Sequence, residues 1–558
     1  MVMDFFEKLE YKNALFIEDV NSDDISRFIN CFTRMNQIER LNAVEQWKKH
    51  IDYMAKKDLL LVLDCLINNY FLSERDVKEE IISFFELILL KKVNIQKDIV
   101  KYLDILIVEV DLTFRKRIVD IFNQVLCNCI EENKRDLINR NYDFLTDLQL
   151  KGEYNYNSQI LFIVPYFLQR KGFLQPPIDV LVSATILKKL GYSVSILDLR
   201  TDKLDITRCK INSDVIFVSM CPYDIIQNYP VDYKFENTVS LINYLSREKE
   251  YNVIAYGPYI EVDDKINEIC FPNKFIYGHI ENAIVSECNQ LFGKHLLFDD
   301  IEMVDIVPDY DLVDLTKYYL YEESKVSPWV AVLANRGCPY DCKFCYDYFE
   351  KKQKIRSAKS VIEELSILEK RYNVKKCIFL DSTFTFNIKW LNEFCDIYNR
   401  RQLSIEWQME TRIDCLDEWV LNLVMNANCS KIFIGVESLD DKMLKFLSKR
   451  ISVQQIHEKI ELLNTHNIDY ELFLMAGLPF QTIEDLYIEY DMLNKWGVKK
   501  YQFIVFMPRP NTDLYELACQ EYPFLRDDIR YISCVRGCVK NNINGLELQK
   551  FLSFARRG

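Results

Sequence analysis

From Gln159 to Phe506, short apolar runs alternate with longer amphipathic stretches, and that rhythm leaves few folds open. A short run that is apolar throughout reads as a strand buried on both faces. A helix between two such strands carries the chain back to its starting end, so the strands lie parallel. A first series comprises 159–165, 193–198, 214–219, 252–256 and 275–277, with helices expected over 178–190 and 237–248 and a left-handed stop at Gly191. A second series begins at 329–333 and continues through 376–380, 405–409, 431–435, 470–475 and 501–506, with an amphipathic helix over 357–372. The first predicts a doubly wound parallel sheet. The six βα units of the second predict an open or closed parallel barrel. In both folds, ligands and chemistry gather at the carboxyl ends of the strands.

The preceding 150 residues read differently. The first glycine is Gly152, and apolar residues recur at helical spacing, as in Leu59, Val62, Leu63, Leu66 and Ile67. The expected organisation is a helical domain over 1–150, the doubly wound domain over 151–300, the barrel over 301–515 and a tail over 516–558. The helical zone shows no catalytic constellation and is expected to serve packing or docking.

Charge and patterning exclude several classes. Lys plus Arg number 70 against 84 Asp plus Glu, a net charge of −14. An acidic chain without a polybasic run is not expected to bind nucleic acid or an anionic membrane by charge. The opening residues lack the basic and apolar regions of a signal peptide, and the oiliest run, 81–90, is broken by Glu86 and too short to span a bilayer. The 18 cysteines follow no regular framework, which is expected of reduced thiols in the cytoplasm.

Three of those cysteines carry the chemistry. Arg336-Gly-Cys338-Pro-Tyr-Asp-Cys342-Lys-Phe-Cys345 follows the first strand of the second series. Thiolates this close together can grip one soft metal centre. A structural zinc site wants four ligands, commonly as two close pairs, and the next thiol, Cys377, lies beyond a whole expected helix. A cubane cluster held by three thiolates keeps one iron open for chemistry. Gly337 frees the backbone to turn, and Pro339 stiffens the loop.

The Cys-x3-Cys-x2-Cys spacing, with Phe344 before the last cysteine, resembles the radical SAM superfamily over about residues 325–515. The resemblance implies a [4Fe-4S] cluster on Cys338, Cys342 and Cys345. That cluster reduces S-adenosylmethionine (SAM) bound at its open iron, giving a 5′-deoxyadenosyl radical that abstracts hydrogen. It further implies that Asp381 lies where acceptors for the SAM amino group are found, although Ser382 stands where a second acid is common. Arg412 is expected to pair with the SAM carboxylate, Glu437 to accept from ribose or sulfonium-side groups, and Gly477 and Pro479 to let backbone approach the adenine. An ordinary salt bridge is the competing reading of Asp381, Arg412 and Glu437.

A doubly wound domain ahead of such a barrel resembles the cobalamin-binding domain of the cobalamin-dependent radical SAM class. Ser219, Gly257, Gly278 and Glu281 are its candidate cofactor contacts. No Asp-x-His-x-x-Gly occurs, so no histidine ligand to cobalt is expected, and His279 reads as a plain loop residue. An empty packing domain is the alternative. The resemblance implies methylation of an unactivated carbon. Radical cyclisation or rearrangement without methyl transfer, and a scaffold with a structural cluster, stand as the alternatives. An external electron donor is expected, with the helical zone docking a peptide or carrier substrate. Cys534 and Cys538 are expected to stay unligated.

Overall fold

A computed structural model of the chain describes residues 75–91, 154–165, 173–202, 209–220, 241–257, 270–276, 280–293, 305–320, 329–345, 354–466, 468–527 and most of 537–555, with single positions elsewhere. Within the expected helical zone this includes one helix, Arg75–Lys91, whose Val77, Ile81, Ile82, Phe84, Phe85 and Ile88 are buried. Leu59, Val62, Leu63 and Leu66, expected on one helical face, are helical and buried, as is Val44. The rest of that zone lies outside the described residues, as do Gly278, His279, Cys534 and Cys538.

Five parallel strands form the first sheet: β1 (Ile160–Val164), β2 (Val194–Asp198), β3 (Val215–Ser219), β4 (Val253–Tyr256) and β5 (Lys274–Ile276). They lie in the order β2-β1-β3-β4-β5, so the chain changes direction between β1 and β3. That order makes the sheet doubly wound, and the gap beyond β1 and β3 is its topological switch point. Every residue of β1, β3 and β4 is buried, as continuous apolar runs require. The helix Ile178–Lys189 ends as expected at Gly191, whose φ is +85°.

Six parallel strands form the second sheet: β6 (Trp329–Val332), β7 (Lys376–Phe379), β8 (Glu406–Arg412), β9 (Cys429–Glu437), β10 (Asp469–Ala476) and β11 (Tyr501–Val505). Each strand pairs with the next in sequence, and among the described residues β6 and β11 are the two unpaired edges of the sheet. Helices returning between strands begin at capping residues. Ser357, Asn387, Asp417, Asp440 and Thr482 each accept from the backbone N–H three residues on. Such a cap contributes about 1 kcal/mol. Each fixes where a loop at the strand ends must finish.

The two sheets share packing. Alternate residues of β1 divide between two cores, with Leu161 and Ile163 in one and Ile160, Phe162 and Val164 in the other. The latter runs on through Tyr310 and Tyr318 to Val332 and the outer face of the second sheet. The stretch 305–318, between the two sheets in sequence, is bonded to both sides. Asp309 N–H donates to Thr185 Oγ1 at 2.7 Å, and Tyr318 Oη donates to Asp198 at 2.9 Å. On the other side Tyr310 Oη donates to Glu364 at 2.6 Å, and Asp305 accepts from Ser357 N–H at 2.6 Å. Among the described residues, no helix is long and apolar enough to cross a membrane.

Candidate active site at the cysteine loop

The chain leaves β6 through Leu333 and Ala334, and Asn335–Arg336 then pairs antiparallel with Lys354–Ile355. Asp381, two residues beyond the end of the neighbouring strand β7, fixes this departure. Its carboxylate is fully buried and accepts from Ala334 N–H at 3.1 Å and Asn335 N–H at 2.5 Å. Burial pushes its pKa up to about 7 against the pull of those amides. Gly337, at φ +85°, then turns the chain toward Cys338 in a conformation that a side chain would strain.

The cysteines follow in one short loop. Cys338 is buried, with Sγ 3.6 Å from Thr383 Oγ1. Cys342 is half-buried, and Cys345 is exposed, its N–H donating to Cys342 O at 3.1 Å. Lys343 N–H donates to Leu447 O at 3.1 Å, and Lys343 O accepts from Leu514 N–H at 3.2 Å. These two bonds tie the loop to elements beyond β9 and β11. Phe344 packs half-buried in a cluster with Phe446 and Met507.

Two buried cations face the loop. Arg412, at the end of β8, directs Nη1 to Cys342 Sγ at 3.4 Å, while Nε and Nη2 grip Asp414 at 2.9 Å each. Nη2 also donates to Lys449 O at 2.6 Å, and the guanidinium lies 3.9 Å over the Tyr340 ring. Lys449 places Nζ 3.0 Å from Glu437 Oε1 and 3.0 Å from Gly435 O. Burial pushes the Cys342 thiol pKa up, and Lys449 and Arg412 pull it back. Tyr340 Oη, from the same loop, meets Cys415 Sγ at 3.2 Å.

This donor set fits an anionic iron–sulfur cluster, because three thiols share a loop and two cations are positioned to neutralise thiolate charge. Among the described residues, no three His, Cys, Asp or Glu side chains converge closely enough to hold one metal ion, the three thiols included.

Several placements differ from the sequence expectations. Asp381 gives both carboxylate oxygens to the backbone entering the cysteine loop, and Ser382 beside it is exposed in a turn. Arg412 has its fork on Asp414 and its remaining nitrogen on a cysteine, a bracing geometry rather than a free carboxylate receptor. Gly477 is expected to let backbone approach the adenine. Instead, a Cβ there would meet Gly537 Cα at 2.5 Å and Gly537 O at 2.7 Å. The tail fills that space, and Asn541 Nδ2 donates to Gly477 O at 2.9 Å and Leu478 O at 3.1 Å. Pro479 is buried. Glu437 is where expected, at the end of β9, with φ +75° and a break in register against β10. Strain of this kind collects at functional sites. Lys449 was not anticipated, because no spacing links it to the cysteines.

At the carboxyl ends of the first sheet, buried polar groups gather. Ser219 Oγ donates to Asp179 at 3.4 Å. Burial raises the Tyr256 hydroxyl pKa, and the Asp179 and Glu281 carboxylates raise it further. Gly257 follows Tyr256 at φ +143°. Glu281 forms a buried ion pair with Arg336, in the cysteine loop of the other sheet. Gln175, fully buried nearby in sequence to the helix carrying Asp179, has no hydrogen-bond partner on its side-chain oxygen or nitrogen. An unmatched buried amide is costly in a closed protein and suits a polar ligand. The switch point, these polar groups and the neighbouring cysteine loop fit a large polar cofactor.

Residues 332–493 match the radical SAM superfamily, a span that begins at the end of β6 and includes the cysteine loop, Arg412, Glu437 and Lys449. The chain carries a radical SAM domain. Among curated relatives, an uncharacterized methyltransferase of Pyrococcus horikoshii is 30% identical over 214 residues, 38% of this chain and 46% of that protein. The anaerobic magnesium-protoporphyrin IX monomethyl ester cyclase of Rubrivivax gelatinosus is 31% identical over 222 residues, 39% of each chain. The chain therefore spans less than half the length of these two relatives. A solved structure of the radical S-adenosylmethionine methyltransferase TsrM from Kitasatospora setae, with cobalamin and a [4Fe-4S] cluster bound, superposes with a TM-score of 0.53. It is 15% identical and covers 65% of this chain and 78% of that one, so the likeness is one of fold. It extends well beyond the radical SAM domain.

Proposed function

We propose that this chain is a cobalamin-dependent radical SAM enzyme that transfers a methyl group to an unactivated carbon. One observation carries the reading: the cysteine loop, braced by Arg412 and Lys449, is joined through Arg336 to Glu281 at the ligand end of a doubly wound sheet. A cluster and SAM would supply radical chemistry at the loop, and cobalamin on the first sheet would carry the methyl group. The chain's own part is positioning. Cys338, Cys342 and Cys345 would hold iron, while Arg412 and Lys449 offset thiolate charge. Glu437, fixed by Lys449, would present an acceptor toward ribose. Ser219, Gly257, Gln175 and Tyr256 would line the cobalamin side.

The named reactions of the relatives support this class from two directions, methyl transfer and cyclisation. Cyclisation without methyl transfer is the second reading, favoured by the likeness to the cyclase. An external reductant, a cytoplasmic setting and docking of a peptide or carrier substrate by residues 1–150 complete the proposal.

The test is anaerobic reconstitution of the full chain with iron, sulfide, cobalamin and SAM. Uptake of cobalamin and formation of 5′-deoxyadenosine are the expected results. A chain that loads iron and cleaves SAM but takes up no cobalamin would remove the methyl-transfer reading and leave the radical one. Substitution of all three cysteines by Ala should abolish SAM cleavage.

A further inference from the structure

Glu281 and Arg336 come from different sheets, yet their side chains form an ion pair with about nine-tenths of each covered. Glu281 sits in the first turn of the helix Ile280–Phe292, which follows β5. That helix starts where β5 ends, at the carboxyl edge of the parallel sheet, the same edge at which β4 ends in Tyr256 and Gly257. Arg336 immediately precedes Gly337 and Cys338, and its neighbour Asn335 is held by Asp381. One carboxylate therefore lies between the polar strand ends of the first sheet and the backbone that sets the first thiol.

An apolar contact would join the two modules at least as stably, since burying a charge pair carries a desolvation cost that its attraction does not always offset. What a buried pair adds is register and sensitivity to neighbouring charge and dielectric. A group seated at the strand ends would alter the surroundings of Glu281, and Arg336 would carry that change to a loop with few other degrees of freedom. Lys343 is bonded on both sides, and Asp381 clamps the entry.

Resting on the function proposed above, we propose that the Glu281–Arg336 pair is a positioning device that couples occupancy of the first sheet to the cysteine loop. Cobalamin and the cluster then each bind more tightly when the other is present. The coupling is reciprocal by thermodynamic necessity.

The test is equilibrium titration of the full-length chain with hydroxocobalamin, anaerobically, with the cluster assembled and again after the iron has been removed by chelation. Wild type should bind cobalamin about 5-fold or more tightly with the cluster present, within the usual range of such couplings. In Glu281→Gln and in Arg336→Met that ratio should fall to near one, with iron counted so that equally loaded chains are compared. Arg336→Lys, which keeps the cation, should restore most of the ratio. A ratio of one in wild type that binds cobalamin overturns the inference alone. So does a wild-type ratio in both variants accompanied by a lower melting temperature, which would make the pair a strut. Wild type that takes up no cobalamin at all overturns the proposed function and this inference with it.

Discussion

Gly435 and Glu437 stand two residues apart on β9, and the carboxylate of the second occupies the space a side chain on the first would need. A Cβ built on Gly435 lies 2.7 Å from Glu437 Oε1 and 3.5 Å from Lys449 Nζ. Gly435 is thus required by the ion pair beside it and not by its own backbone, since its φ is not positive. Gly435→Ala should move Glu437 off Lys449 with little effect on the fold, because a flexible carboxylate tip is what must give way. The expected outcome is a melting temperature close to the parent's and weaker SAM binding, by about 1–2 kcal/mol for one charge-assisted contact. Calorimetry and a SAM titration on the same protein check both halves.

Arg412 gives a prediction opposite to the one its motif suggests. A residue that only received the SAM carboxylate could be removed without touching the cluster. With Nη1 on Cys342 and its fork on Asp414, Arg412→Ala should lower the iron retained after desalting. It also removes one of the two cations that favour the Cys342 thiolate, so the pH needed for half-maximal iron loading should rise. Iron content across a pH series settles it. Wild-type loading at every pH would return Arg412 to the SAM carboxylate.

Glu489 makes stability depend on pH. It is buried, its Oε1 accepts from Ser438 Oγ at 2.5 Å and Leu439 N–H at 2.8 Å, and its Oε2 has no hydrogen-bond partner. Burial pushes its pKa up to about 7 from the ordinary carboxyl value of 4.5. Between those two values the folded chain keeps a proton that the unfolded chain releases, so stability falls as pH rises through that window and levels off above 7. The full effect is on the order of 3 kcal/mol. Glu489→Gln should flatten this dependence, gaining on wild type at pH 8 relative to pH 5 in denaturant titrations. A difference independent of pH would show that the group ionises normally.

Gly477→Ala tests the tail. Its φ of +80° already disfavours a side chain, and the added Cβ would strike the backbone of Gly537, which cannot swing away. The substitution should cost about 2 kcal/mol or more and release the C-terminal segment. Limited proteolysis should then remove the helix Gly545–Ala555 faster than in wild type.

The strands were legible because burial on both faces writes itself as unbroken apolar runs. All six runs of the second series became β6 to β11, and Ile160–Val164 and its neighbours became the first sheet. The cysteine loop was legible because its ligands are close in sequence. What stayed hidden depended on contacts between distant segments. Asp414 lies two residues from Arg412, but only the turn after β8 folds it into the guanidinium fork. Nothing in Ala476-Gly-Leu-Pro479 announces that Gly537 will lie on it. Glu281 and Arg336 each looked like members of their own module. The brief ladder between Tyr154–Asn157 and Cys209–Asn212 was missed because its strands are short, polar and partly exposed.

The bonded stretch 305–318 bears on how this molecule can be taken apart. A fragment beginning at residue 301 would keep Tyr318 without Asp198, Asp309 without Thr185 and Lys188, and an uncovered face once packed under Tyr310. The complementary fragment would leave the Asp198–Arg200 pair open at its edge. Neither half inherits a finished surface. Dissecting the gene at that boundary should therefore yield two pieces that recover solubility only when co-expressed, and a cut elsewhere, outside the shared core, is the better place to divide the chain.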